Sequence, residues 1–189
     1  MQNKPNWVSL FSQTGTEIVN VSKRLGKWPD LVLTNRTDIE GVNQELLDNC
    51  IHRLIMIPDK PAVGDYYAAI GSRLDIDISD NFIVTLHGYL RIIPAELCDK
   101  WRVYNGHPGD IVTYPELKGK DPVERVTSEM KMIGAVIHNV TPGIDDGLIL
   151  MHKNTDLSGL PWNIRKIYIP GTIRQMSEDL WVEFLQNKL

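Results

Sequence analysis

Short apolar runs alternate with amphipathic stretches along this chain, and no other feature restricts its architecture as strongly. Runs at residues 7–11, 31–34, 53–57, 82–86 and 103–105 have the length and composition of buried strands. Between them, apolar residues recur at helical spacing: Ile18, Val21 and Leu25 within 17–25, then Val42, Leu46, Leu47 and Cys50 within 41–50. Pro61 opens a third helix through Tyr66, Tyr67 and Ile70, since proline fits a first helical turn. Residues 94–100 form a short fourth. Strands that alternate with helices need crossover connections, so the chain is α/β with a largely parallel sheet flanked by helices.

Beyond residue 120 the pattern changes. Asp121-Pro122 has the form of an N-cap followed by proline, and Val123, Val126 and Met130 continue at helical spacing, which predicts a helix. Strands at 136–140 and 148–151 are separated by a short loop, so part of the sheet is antiparallel. Residues 151–170 read as irregular chain folded over the sheet edge. Thr172-Ile173-Arg174-Gln175 has capping-box form and opens a last helix, with Ile173, Met176, Leu180 and Phe184 inward. A length of 189 residues, without repeat, low-complexity segment or long linker, gives a single domain over 1–189.

Composition removes several classes of function. The hydrophobic share of 42% and charged share of 23% are those of an ordinary globular protein. A net charge of −4 and a pI near 5.7 leave no basic face for nucleic acid. Cys50 and Cys98 form no Cys-x-x-Cys pair and read as small buried hydrophobes. His107, His138 and His152 lack metal-ligand spacing, so no metal is expected. No apolar stretch approaches the ~20 residues of a membrane span and no leader is visible, so a cytoplasmic protein is expected. Gly15 lacks the partner glycines of a dinucleotide loop, and there is no Gly-x-Ser-x-Gly elbow.

Two segments carry the chemistry. Val-Tyr-Asn-Gly-His-Pro-Gly at 103–109 supplies Asn105 and His107, and the segment 134–147 supplies Asp145. Each polar residue closely follows an apolar run, at the carboxyl end of an expected strand, where open α/β sheets bind ligands. A carboxamide can donate to an oxyanion, an imidazole can exchange protons near neutrality, and a carboxylate can hold the imidazole's charge. That set points to acyl-group transfer. Pro108 restricts His107 to extended conformations. Asn105-Gly106 and Asp146-Gly147 are also ordinary turn signals. His138 reads as a buried, hydrogen-bonded histidine that supports the site, and the role of His87 is open.

Together with Ser12-Gln13-Thr14-Gly15-Thr16 and the segment from Leu86-His87-Gly88-Tyr89 to Pro94, these motifs resemble the formyltransferase family. The likeness is to the glycinamide ribonucleotide transformylases and to the catalytic domain of methionyl-tRNA formyltransferases, over roughly residues 7–151. It implies a formyltransferase-like fold with a Rossmann-like core, and 10-formyltetrahydrofolate as co-substrate and formyl donor, without a metal. It places catalysis on Asn105, His107 and Asp145. Folate contacts would come from Leu86, Tyr89, Leu90, Arg91, Ile92 and Ile93, and from Val140, Thr141, Gly143 and Asp145. Contacts to the acceptor would come from Ser12, Gln13, Thr14, Gly15, Thr16, Pro108 and Gly109.

The acceptor implied is a small amine such as glycinamide ribonucleotide, an amino-sugar nucleotide or a modified nucleotide, with a phosphate on it left open. A hydrolase that spends the same donor on water, and an inactive folate- or nucleotide-binding module, are the alternatives. Where relatives continue with Ser-Leu-Leu-Pro, this chain has its own 109–120 sequence, which leaves the acceptor unassigned. The chain stops at Leu189 without a second domain for tRNA, so nucleic acid is not an expected partner. A homodimer is compatible with the sequence.

Overall fold

The computed structural model describes residues 4–72 and 81–189. Its first half runs β1 (Asn6–Phe11), α1 (Thr16–Leu25), β2 (Leu31–Thr34), α2 (Gln44–Cys50), β3 (Leu54–Met56) and α3 (Val63–Gly71). The second half runs β4 (Phe82–Leu86), α4 (Ala95–Lys100), β5 (Val103–His107), β6 (Met132–Asn139), β7 (Ile149–Asp156) and α5 (Trp162–Gln186). Among the described residues one seven-stranded sheet forms, in the order β3-β2-β1-β4-β5-β6-β7. Pairs from β3 to β5 are parallel, and the β5–β6 and β6–β7 pairs are antiparallel. The expected α/β sheet with an antiparallel portion is therefore what the chain adopts.

Alternating strand residues feed two faces of the sheet. Val8, Leu10, Leu31, Leu33 and Val84 pack with Tyr66, Ala69 and Ile70 of α3 and Leu97 of α4. On the other face, Trp7, Ile83, Ala135 and Ile137 meet Leu180, Trp181 and Leu185 of α5. Phe11 and Val32 face Ile18 of α1 and Leu46 of α2. Because both faces are covered, β1 is buried from Trp7 to Phe11, as central parallel strands usually are.

Most expected boundaries lie within two residues of the observed ones, and the larger differences have physical causes. α2 begins at Gln44, later than the expected 41, because Asn43 caps it by accepting from the Glu45 N–H. The helix expected after Asp121-Pro122 does not form. Asp121 takes a positive φ of 51°, not the extended conformation usual for a side-chain N-cap, and the chain continues as separate turns. Val126 and Met130 are nevertheless buried, in a cluster with Ile111, Leu117, Ile169 and Ile173. Thr172 does not open the last helix: α5 starts ten residues earlier, at Trp162, and runs through Pro170. Pro170 is exposed, while its neighbours Ile169 and Ile173 are buried and Arg165 donates to the carbonyls of Met130 and Ser128. Packing on one side of the helix outweighs a proline on the other. β6 (Met132–Asn139) and β7 (Ile149–Asp156) run longer than the expected 136–140 and 148–151, because their ladder continues to the Met132–Asp156 pair. The stretch expected to be irregular is most of β7, a turn at 157–161 and the first turns of α5. Among the described residues no helix is long and apolar enough to cross a membrane.

Candidate active site

β5 ends in Asn105-Gly106-His107, and the antiparallel ladder sets Asn105 opposite His138 and His107 opposite Val136. Gly106 is required between them, because a Cβ there would lie 2.4 Å from Nε1 of the buried Trp181. The third group arrives from the β6–β7 loop. That loop is closed by the Asn139 N–H donating to the Leu148 carbonyl, and Gly147 is wedged against the Asn139 carbonyl, 1.8 Å from where a Cβ would stand. Asp145 adopts a positive φ of 49°, a conformation that aspartate tolerates better than most residues, and its carboxylate turns toward β5.

Four groups converge on that carboxylate. Oδ2 lies 3.1 Å from Nδ1 of His107 and accepts from the Gly119 N–H at 2.8 Å. Oδ1 accepts from Nδ2 of Asn105 at 3.1 Å and lies 3.2 Å from Nε2 of His138. Burial alone would raise the Asp145 carboxyl. Hydrogen bonds from His107 and His138, the His107 charge and the Gly119 N–H outweigh it and hold the acid well below the usual carboxylate range. The group is therefore an anion at any physiological pH.

His107 is buried, and its Nε2 is 3.0 Å from the Leu117 carbonyl oxygen. Both ring nitrogens thus face oxygen acceptors, an arrangement satisfied by the doubly protonated ring. The turn that carries Leu117 is pinned by Arg125, which donates to the carbonyls of Glu116, Leu117 and Lys118. Its root is anchored by the buried Asp110, which accepts from the Thr113 N–H and pairs with His152 of β7 at 2.9 Å.

A cleft of about 670 Å³ opens beside this cluster, a volume typical of small-molecule sites. One wall is the segment after β4, residues 88–93 with Leu86; another is Val140, Thr141, Gly143 and Ile144; a third is the 119–124 turn. Leu90 at 48%, Ile92 at 67% and Ile144 at 62% exposure present uncovered apolar surface, which suits a flat, largely apolar ligand. Arg91 spends its guanidinium on Asp59 and on the Leu90 carbonyl. Tyr89 pairs its hydroxyl with that of Tyr66 at 2.8 Å.

All residues expected to touch the folate line this cleft, as do Asn105, His107 and Asp145. The expected acceptor set divides. Gln13 and Pro108 line the cleft, whereas Ser12, Thr14, Gly15, Thr16 and Gly109 do not. Ser12 sits behind the wall, accepting from the Leu90 N–H and donating to Asn35. The Thr14 and Thr16 hydroxyls bond each other at 2.9 Å, and Gly15 abuts Leu46. Gly109 packs under the His107 ring. Sequence reasoning missed the 119–124 wall, because Asp121-Pro122 reads as a helix start. It also missed the contact of His138 with both Asn105 and Asp145, which only the strand register reveals.

No protein-family model matches the sequence, and no curated protein matches it either. Solved structures do. The chain is similar to a phosphoribosylglycinamide formyltransferase from Anaplasma phagocytophilum, with a TM-score of 0.76 and 17% identity over 97% of this chain and 86% of that one. It is similar to the phosphoribosylglycinamide formyltransferase of Campylobacter jejuni, with a TM-score of 0.74 and 18% identity over 96% of each chain. A formyltetrahydrofolate deformylase from Pseudomonas syringae pv. tomato gives a TM-score of 0.70 and 20% identity, over 97% of this chain but 61% of that one. At such identities the likeness is one of fold.

Proposed function

We propose that this chain, which has the formyltransferase fold, moves a formyl group from 10-formyltetrahydrofolate to the amine of a small acceptor. The observation that carries the reading is the meeting of Asn105, His107 and Asp145 at one cleft with an apolar wall. The donor supplies a formyl carbon open to attack by a neutral amine. A C–N bond to the acceptor forms through a tetrahedral oxyanion, the bond to the folate nitrogen breaks, and the amine proton ends on that nitrogen. The apolar wall from Leu86 to Ile93 and the Val140–Gly143 side would hold the flat ring system, with Gln13 and Pro108 toward the acceptor.

Asn105 donates to the developing oxyanion, which is worth about 10²–10³ in rate for one such donor. His107, held as a cation between Asp145 and a carbonyl oxygen, supports the same negative charge through Nε2. In this reading a substrate oxygen takes the place of the Leu117 carbonyl beside Nε2, against the hold that Arg125 keeps on that turn. Asp145 fixes the ring and balances its charge. Glycinamide ribonucleotide, an amino-sugar nucleotide and a modified nucleotide all carry a suitable amine. The first would place the protein in purine biosynthesis, and all three would be met in the cytoplasm.

The deformylase among the similar structures favours one second reading, in which water replaces the amine. A single assay separates them: enzyme and 10-formyltetrahydrofolate are incubated with and without a panel of amino nucleotides, with formate and acceptor mass followed together. Transfer predicts mass gain on one acceptor and little formate without it. Steady formate release with no amine present would overturn transfer in favour of hydrolysis, and neither product would overturn both.

A further inference from the structure

The turn from Glu116 to Gly119 meets both charged groups of the site with its backbone alone. Its Leu117 carbonyl oxygen lies 3.0 Å from Nε2 of His107, and its Gly119 N–H donates to Oδ2 of Asp145 at 2.8 Å. A tetrahedral adduct presents the same pair, an oxygen that accepts beside an amine N–H that donates. The cation and the anion are thus satisfied by the protein's own chain. Arg125 holds the turn in that place. Its Nη1 donates to the Glu116 carbonyl at 2.6 Å, and its Nη2 to the Leu117 and Lys118 carbonyls at 2.7 Å each. The Leu117 oxygen therefore serves both cations, one with each lone pair. A planar guanidinium reaches three successive carbonyls with charge-assisted bonds, which a point charge does not. The turn itself has room to move. Lys118 at φ −58° and ψ 146°, followed by Gly119 at φ 89°, has type II form. A Cβ on Gly119 would meet only Ile144, at 3.8 Å. The Leu117 side chain is buried with Val126 and Met130, so rotating the peptide planes 117–118 and 118–119 lifts both contacts and leaves that anchor seated.

We infer that residues 116–119 are an internal cap, latched by Arg125, which occupies His107 and Asp145 until a substrate displaces it. The cap deepens the reading of the site given above and rests on it for the displacing group, the formyl oxygen of the donor. Binding then includes the opening of the cap. Apparent affinity is the intrinsic affinity lowered by the fraction of molecules in which the cap stands open. Arg125 sets that fraction without lining the cleft. It is a positioning residue that works against binding, so its removal improves affinity. Loss of an ordinary structural contact does the reverse.

Hydrogen exchange of the Gly119 amide, followed by NMR in the full chain, tests the latch without any substrate. Arg125→Met keeps the apolar stem and removes all three bonds. Gly119 should then exchange about tenfold to a hundredfold faster, the factor that goes with losing a hydrogen bond from a charged group. The Kd for 10-formyltetrahydrofolate, measured by calorimetry without acceptor, should fall by the same factor. Arg125→Lys, with one charged donor in place of the fork, should lie between the two chains in both measurements. Unchanged Gly119 exchange in a folded Arg125→Met would overturn the latch. Faster exchange beside equal or weaker folate binding would overturn the cap. Either result leaves formyl transfer standing. If 10-formyltetrahydrofolate binds none of the three proteins, the formyl-transfer reading falls instead, and the cap stands or falls by the exchange result alone.

Discussion

Two histidine–carboxylate pairs lie at the carboxyl ends of adjacent parallel strands, and they differ in what surrounds them. His87, just past β4, sets Nδ1 2.9 Å from Glu17 and Nε2 3.0 Å from the Thr85 hydroxyl. Glu17 also accepts from Ser177 of α5, and Thr85 takes the indole N–H of Trp7 at 2.8 Å. His107, one strand over, pairs with Asp145 in a cluster that is as fully hydrogen-bonded but lines an open cleft. Pairing alone therefore does not mark a functional imidazole. The first network ties α1 and α5 to the sheet; the second borders the cleft, which Asn105 and His107 both line.

The sharpest way to break this contrast is to neutralise each acid in turn. Asp145→Asn keeps the shape but cannot hold the charge on His107, so turnover should fall by about a thousandfold or more while circular dichroism stays native. Glu17→Gln should leave turnover within about threefold and lower stability by roughly 1–3 kcal/mol, read from urea unfolding. A large kinetic effect at Glu17 would erase the distinction between the pairs.

A smaller effect sharpens the link between them. Trp181 packs against His87 with centroids 4.6 Å apart and the rings tilted by 40°, and it also abuts Gly106. Gly106→Ala should therefore cost about 1–3 kcal/mol by overpacking and slow turnover roughly tenfold to a hundredfold by shifting Asn105 and His107. Trp181→Phe in the same chain should recover part of both losses. No recovery would mean that the strand, not the indole, resists the added methyl group.

The smallest expected effect is a matter of pH. The Asp145 carboxyl is held below its unfolded value of about 4, so its stabilising contribution is present above that pH and is lost as the pH falls further. Urea midpoints measured from pH 6 down to pH 3 should drop more steeply for the native chain than for Asp145→Asn. Parallel slopes would show that the acid is not held as an anion.

Sequence made the parallel half legible because its signals are local. Five apolar runs and the helices between them mark β1 to β5 almost to the residue. Asn105 and His107, at the end of β5, could be placed beside the cleft for the same reason. What stayed hidden depends on contacts far apart in sequence. Helix α5 runs through Pro170 because of packing against residues 111–133, which no window around the proline contains. Asp121 looks like an N-cap until its positive φ is seen. Ser12 looks like a ligand contact until its hydroxyl is found holding the Leu90 N–H. The contact of His138 with Asn105 needs the register of β5 on β6, which composition does not encode.

The segment from Pro108 to Lys131 leaves β5 and returns to β6, two strands already zipped together, and it supplies the 119–124 wall of the cleft. Chain length in such an excursion is cheap: each doubling costs only about 0.6 kcal/mol in closure entropy. The piece can thus change length between its fixed points, provided that the Leu117 carbonyl and the Gly119 N–H stay where they meet His107 and Asp145. Cassette exchange there would reshape one side of the cleft and leave the sheet as an untouched chassis.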